Sequence, residues 1–183
     1  MAFTVQGDTP VVGANAYIDV ATFRAYWDDR GVATSPTYND TAVQVAIVKG
    51  TQYLDLRFEY VGERLNRDQE LEWPRQFAYN DRGDSVSGLP TAVKNATCEY
   101  AYRALTMTAL LADPSYDETG RPLKSKEETV GPLTEKYEYE AHGVFTMPDY
   151  PQADRILISR GLVRAGLTSG QTGGLMSGSI GRA

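Results

Sequence analysis

The chain has 183 residues, of which 42% are hydrophobic and 23% charged, a length and balance that describe one water-soluble globular domain with a real core. Lys and Arg number 18 against 24 Asp and Glu, for a net charge of −6, and this argues against a phosphate-tracking surface, because nucleic-acid affinity comes largely from basic side chains releasing counterions. Cys98 is the single cysteine, which excludes an intramolecular disulfide and fits a reducing compartment, and nothing in the sequence reads as a signal peptide or a membrane span.

Residues 1–13 have little periodicity and end in turn formers, so they read as an extended arm, followed by the short extended piece Ala14-Asn15-Ala16-Tyr17-Ile18. Asp19 is a good N-cap for a first helix over 20–30, and Gly31 is placed to close it in the left-handed conformation. Phe23, Tyr26 and Trp27 form its apolar stripe, while Asp28 and Asp29 at its end oppose the macrodipole. Asn39 or Asp40 caps a second helix to about Phe58, with Val43, Ala46, Ile47, Gly50, Tyr53, Leu54 and Phe58 on one face. Gly50 costs about 1 kcal/mol relative to Ala there, which points to a close approach by another helix. Residues 59–70 mix Arg64 and Arg67 with Glu59, Glu63, Asp68 and Glu70 beside Arg57, and read as a solvated loop or short helix with weak ion pairs, or else as an intersubunit salt-bridge surface.

Leu71-Glu72-Trp73-Pro74-Arg75 and the loop it opens, to Leu89-Pro90, form the stretch around which the chain is organised. Pro74 stops any helix and biases Trp73 to an extended conformation. Trp73 is placed to cover the junction of the flanking helices, and Arg75 offers a planar fork for a carboxylate or for backbone carbonyls. Trp73 and Arg75, with Arg64, read either as a core cap and helix closure or as a contact surface for a neighbouring subunit. A third helix from Pro90 to about Ala112 is apolar over more than one face, as the central helix of a bundle would be.

Residues 115–127 read as an exposed polar loop. Val130-Gly131-Pro132 is a turn, and Leu133, Glu135, Tyr137 and Tyr139 alternate with polar residues as in a half-buried strand. Its partner is either 127–130 or an edge on another copy. A short helix over 152–160 follows Tyr150-Pro151. From 165 to 183 the chain is Gly-rich and carries one charge, Arg182. This is a tail that is either disordered or ordered only on a partner, with Leu167, Leu175, Met176 and Ile180 as anchors. The fold expected is mainly α: a small helical bundle of about four helices with a β-hairpin excursion near 127–140 and extended terminal arms. Residues 1–164 form its single domain.

No phosphate loop, dinucleotide fingerprint, HExxH or CxxC is present. One His and one Cys leave a zinc site to carboxylates, an uncommon arrangement. Glu70 and Glu72 read as solvated acids rather than as a glycosidase pair. No catalytic residue, metal or cofactor is called for.

Ala14-Asn15-Ala16-Tyr17, Tyr53-Leu54-Asp55, Gly62, Arg64, Leu71-Glu72-Trp73-Pro74-Arg75, Pro90-Thr91-Ala92-Val93-Lys94, Val130-Gly131-Pro132 and Tyr150-Pro151-Gln152-Ala153-Asp154 carry a resemblance over 14–164. In this order they resemble the head–tail connectors, or adaptors, of tailed phages, whose relatives also carry the label "DnaT-like single-stranded DNA binding". The resemblance implies a structural virion protein of the neck, made in the host bacterial cytoplasm. Its partners would be the portal, the next neck or tail-completion protein, and copies of itself in a ring of about twelve. Genomic duplex DNA would pass through the channel without specific binding, the acidic character keeping it from sticking. The Gly-rich tail is the expected portal-docking segment. The competing class is a single-stranded DNA-binding replication module, which needs a basic groove with aromatics for base stacking.

Overall fold

The computed structural model describes residues 2–35, 37–107, 123–129, 134–139 and 150–164. Two compact units divide them, one within Met1–Leu110 and Asp149–Ala183, the other within Leu111–Pro148. The architecture is mainly α with small antiparallel strand pairs, as the sequence leads one to expect.

In the first unit α1 (Val20–Asp28) starts where Asp19 caps it, its carboxylate accepting from the Thr22 N–H at 2.7 Å. Gly31 follows the helix with φ +71°, a conformation that costs glycine nothing. The same capping chemistry starts α2 (Asp40–Arg57), where Asn39 accepts from the Ala42 N–H at 2.8 Å. Phe23, Tyr26 and Trp27 of α1 meet Val43, Ala46 and Ile47 of α2 and Cys98 and Ala101 of α3 (Thr91–Thr106) in one buried cluster. The Trp27 Nε1–H donates to the Cys98 carbonyl at 3.3 Å. Burial pushes the Cys98 thiol up to about 12, so it behaves as a small buried hydrophobe.

α2 and α3 cross at Gly50. A Cβ there would stand 2.9 Å from the Ala101 nitrogen and 3.2 Å from the Tyr100 carbonyl carbon. Glycine is retained because the backbones touch.

The last helix, α4 (Pro151–Ile158), buries Ala153 and Leu157. Asp154 lies on the same side, held by Arg57 through two bonds of 2.8 and 3.2 Å and by the Tyr100 hydroxyl. Beside this pair the rings of Tyr53, Tyr100 and Tyr150 pack on one another at centroid distances of 5.0 to 6.0 Å. Arg57 therefore belongs to the interior, not to the solvated charges among which the sequence placed it. The Tyr150 hydroxyl reaches the Met107 sulfur at 3.6 Å.

Residues 2–13 form an irregular, extended segment held to the body: the Gln6 N–H donates to the Ala16 carbonyl at 2.8 Å, the Asn15 N–H to the Thr4 carbonyl at 2.9 Å, and the Asp8 carboxylate accepts from the Leu89 N–H at 3.0 Å. Two other expectations need correction. α3 ends at Thr106, earlier than the apolar stripe suggests, with Met107 extended at φ −108° and ψ 145°. There the Thr106 hydroxyl donates back to the Tyr102 carbonyl at 3.0 Å. Residues 59–70 form neither a plain loop nor a helix, since β1 (Glu63–Arg64) pairs antiparallel with β2 (Arg75–Gln76).

In the loop beyond, β3 (Ala78–Tyr79) pairs with β4 (Ser85–Val86) around a turn held by the Asn80 side chain, which accepts from the Arg82 and Asp84 N–H groups at 2.9 Å. The second unit is an antiparallel pair, β5 (Leu123–Thr129) and β6 (Thr134–Tyr139). The expected strand is present as β6, but its partner begins at Leu123, inside the segment read as a polar loop. The Val130-Gly131-Pro132 turn and His142 lie outside the described residues.

Replacing Gly50 by Ala separates propensity from packing. Helix propensity alone would stabilise by about 1 kcal/mol. The contact with Ala101 reverses the sign, and we expect a loss of about 1–3 kcal/mol in urea unfolding. A stabilised variant would mean that α2 and α3 lie further apart.

Candidate functional site

The stretch from Phe58 to Ala78 folds into a clamp centred on Trp73. The Trp73–Pro74 peptide is cis, and the indole is fully buried edge-on to Tyr60 at a centroid distance of 5.7 Å. Arg75 fixes the turn before it. Its guanidinium donates to the carbonyls of Val61 and Gly62, each at 2.8 Å, and to that of Glu72 at 3.3 Å. Gly62 sits beneath with φ +75°, and a Cβ there would lie 2.5 Å from the Gln76 carbonyl oxygen. The Gln69 amide ties the other side, donating to the carbonyls of Leu71 at 2.7 Å and Pro74 at 3.0 Å.

Glu72 joins the arginines. One of its oxygens accepts from Arg64 and the other from Arg75. It is therefore a bridge between cations, not the solvated acid read from the sequence. Glu70 faces the N-terminal segment, accepting from the Gly13 N–H at 2.9 Å.

Behind the clamp is a junction of three segments. The Tyr17 hydroxyl donates to Asp55 Oδ1 at 2.6 Å and accepts from the Trp73 N–H at 3.2 Å. Asp55 Oδ2 accepts from the Glu72 N–H at 3.1 Å. Burial raises the Asp55 carboxyl to about 7, against the opposing pull of the bonds from Tyr17 and Glu72. Burial likewise raises the Tyr17 phenol well above its ordinary range, so it remains a donor. Tyr17, Asp55 and Tyr60 escape a reading of single segments, and the available signal was the Tyr53-Leu54-Asp55 order, with an acid next to a core leucine.

The structure thus brings Trp73, Arg75 and Arg64 together. Trp73 is enclosed by its own chain, Arg75 is turned onto the backbone, and Arg64 is half-exposed. Tyr137 and Tyr139 lie on β6 at positions paired with Lys126 and Leu123. Leu167, Leu175, Met176 and Ile180 lie outside the described residues.

What the clamp leaves outward is aromatic. Phe77 is 68% and Tyr79 54% exposed on either side of buried Ala78. Phe77 holds φ +53°, uncommon for a bulky side chain. A separate cleft of about 590 Å3 between α1, the start of α3 and α4 is lined by Arg30, Arg160, Asn80, Asn95 and Thr91. Tyr26 also lines it, but its ring is buried and its hydroxyl donates to Glu99 at 2.9 Å. Among the described residues no group of three or more His, Cys, Asp or Glu could hold a metal ion, and no helix is long and apolar enough to cross a membrane.

Two substitutions test the clamp. Arg75→Lys keeps the charge but loses the fork, and we expect a loss of about 1.5–3 kcal/mol in chemical unfolding. Asp55 gives a pH signature: its folded carboxyl holds a proton more tightly than the unfolded one, at about 7 against an ordinary value of about 3.9. Its contribution is therefore greatest at the acid end of this window and declines as pH rises to about 7, by at most about 1.4 kcal/mol per pH unit. Asp55→Asn, compared with wild type by unfolding from pH 4 to 8, should remove that decline. Parallel curves would rule out a proton-retaining Asp55.

Comparison with curated proteins and with solved structures returns no match. The model of one family, described as "Putative DnaT-like ssDNA binding protein", matches residues 1–183. The match spans the chain from end to end, and the protein belongs to that family.

Proposed function

We propose that the protein is a structural adaptor of a tailed-phage neck. It forms a ring under the portal, offers its other face to the next neck or tail-completion protein, and performs no catalytic step. The observation that carries this reading is where the aromatic side chains go. Strand binding without a catalytic step needs exposed rings in a basic groove, since each base stacks on a face. Here Trp27, Trp73, Tyr17, Tyr26, Tyr53, Tyr60 and Tyr100 are buried. Among the described residues the exposed pair, Phe77 and Tyr79, stands next to Asp81 and Asp84 in a chain of net charge −6. An acidic body with a rigid internal clamp and apolar side chains held outward suits contact with proteins, and lets duplex DNA pass without adhering. The order of motifs shared with head–tail connectors supports the same reading.

The family's description speaks for a second reading, single-stranded DNA binding. Arg30 and Arg160 in the cleft beside α3 are the groups that a strand's phosphates would meet.

Light scattering decides between the two. The protein, alone and mixed with the cognate portal ring, is expected to load about twelve copies per portal. It should bind a labelled oligonucleotide no better at 50 mM than at 200 mM salt. Failure to join the portal, with oligonucleotide affinity falling steeply with salt, would reverse the assignment.

A further inference from the structure

Asp and Glu outnumber Lys and Arg in this chain by 24 to 18, yet among the described residues no acid lines the cleft of about 590 Å3 between α1, the start of α3 and α4. Two arginines do, each two residues beyond the end of a different helix. Arg30 is held in place: its guanidinium lies 3.4 Å from the centroid of the Tyr26 ring and donates to the Tyr26 carbonyl at 2.7 Å. Most of its donors remain unspent. Arg160 is exposed and, among the described residues, its side chain makes no hydrogen bond or ion pair. α3 opens on the same cleft with Thr91 and Ala92. Pro90 gives that helix no side-chain cap, and the Thr91 and Ala92 N–H groups have no acceptor among the described residues. Asn95, one turn on, and Ser159 add an amide and a hydroxyl. The positive charge thus comes from the ends of α1 and α4 and the backbone donors from α3.

We infer that this cleft binds a phosphate monoester, its two guanidinium groups meeting a compact anion of nearly two charges and the α3 N–H groups taking a further oxygen. The planar fork of each arginine matches phosphate geometry. A carboxylate brings one charge and two oxygens, and would leave one arginine unmatched. The rim disfavours the internal phosphates of a strand. Asp28 and Asp29 precede Arg30, and Asp81 lies beside Arg160, since a Cβ at Gly161 would stand 2.5 Å from the Asp81 carboxyl carbon. Phosphodiesters on either side of a bound one would meet these acids. Glu99, behind Tyr26, is already taken by the Tyr26 hydroxyl at 2.9 Å and by Arg103 at 3.0 Å. A base finds no platform, because the Tyr26 ring is buried and Arg30 covers one face of it. The site goes beyond the adaptor reading and does not depend on the ring.

The test is calorimetric titration of the full chain with inorganic phosphate, adenosine monophosphate, acetate, and one oligonucleotide with and without a terminal phosphate. We expect saturable binding of phosphate, none of acetate at the same concentrations, and oligonucleotide binding only where the end is phosphorylated. Tighter binding of the monophosphate or of the phosphorylated end than of the free ion would name the source of the group. Arg160→Ala should weaken phosphate binding about tenfold and leave the urea midpoint unchanged. Arg155→Ala, exposed on α4 outside the cleft, should alter neither. No binding of phosphate at millimolar concentration, binding untouched by both Arg160→Ala and Arg30→Gln, or equal binding of acetate overturns the site. An oligonucleotide that binds as well without its terminal phosphate also overturns it, and returns the cleft to strand binding.

Discussion

Three segments far apart in the chain meet at one half-buried carboxylate, and the arrangement of the first unit depends on that meeting. Asp55 takes the Tyr17 hydroxyl on one oxygen and the Glu72 N–H on the other, and Tyr17 in turn takes the Trp73 N–H. The N-terminal segment, α2 and the tryptophan clamp are thereby placed relative to one another by polar groups. Apolar contact alone is non-directional and would tolerate sliding; these short bonds do not. A charged carboxylate in that position is costly, which is why its proton is held so firmly.

A second polar pair does the same for α4. Asp154 and Arg57 are buried together with Tyr100 and a ring of tyrosines. Replacing such a pair with apolar residues is often neutral, but removing one partner strands the other, at a cost of about 3–5 kcal/mol. Its contribution is to orientation: an apolar α4 could rotate by a residue, and one that must present Asp154 to Arg57 cannot. The two junctions let a small body, rich in tyrosine, adopt one packing.

The helices were legible because their signals are local. Asp19, Asn39 and Gly31 do in the structure what their positions in the sequence suggest, and Gly50 marks the close crossing that an interior glycine implies. The junctions were not legible. An acid next to a helical leucine reads as solvated, and the groups that hold Asp55 and Asp154 lie 38 and 97 residues away in the chain. β5 escaped for a different reason. Leu123-Lys-Ser-Lys-Glu-Glu-Thr129 has no apolar alternation, and its strand character comes from the partner beside it. Trp73 is buried and Arg75 is turned onto the backbone, the core-cap alternative of the two the sequence left open, whereas Phe77 and Tyr79 are exposed in the loop beyond.

The contact between Tyr150 and Met107 has a consequence for the length of the chain. α3 ends and α4 begins within reach of one another, so the chain leaves the first unit and returns to it through neighbouring points. Whatever lies between Met107 and Tyr150, the two ends are held close together, so a change in the number of residues between them leaves the packing of α3 on α4 unaltered.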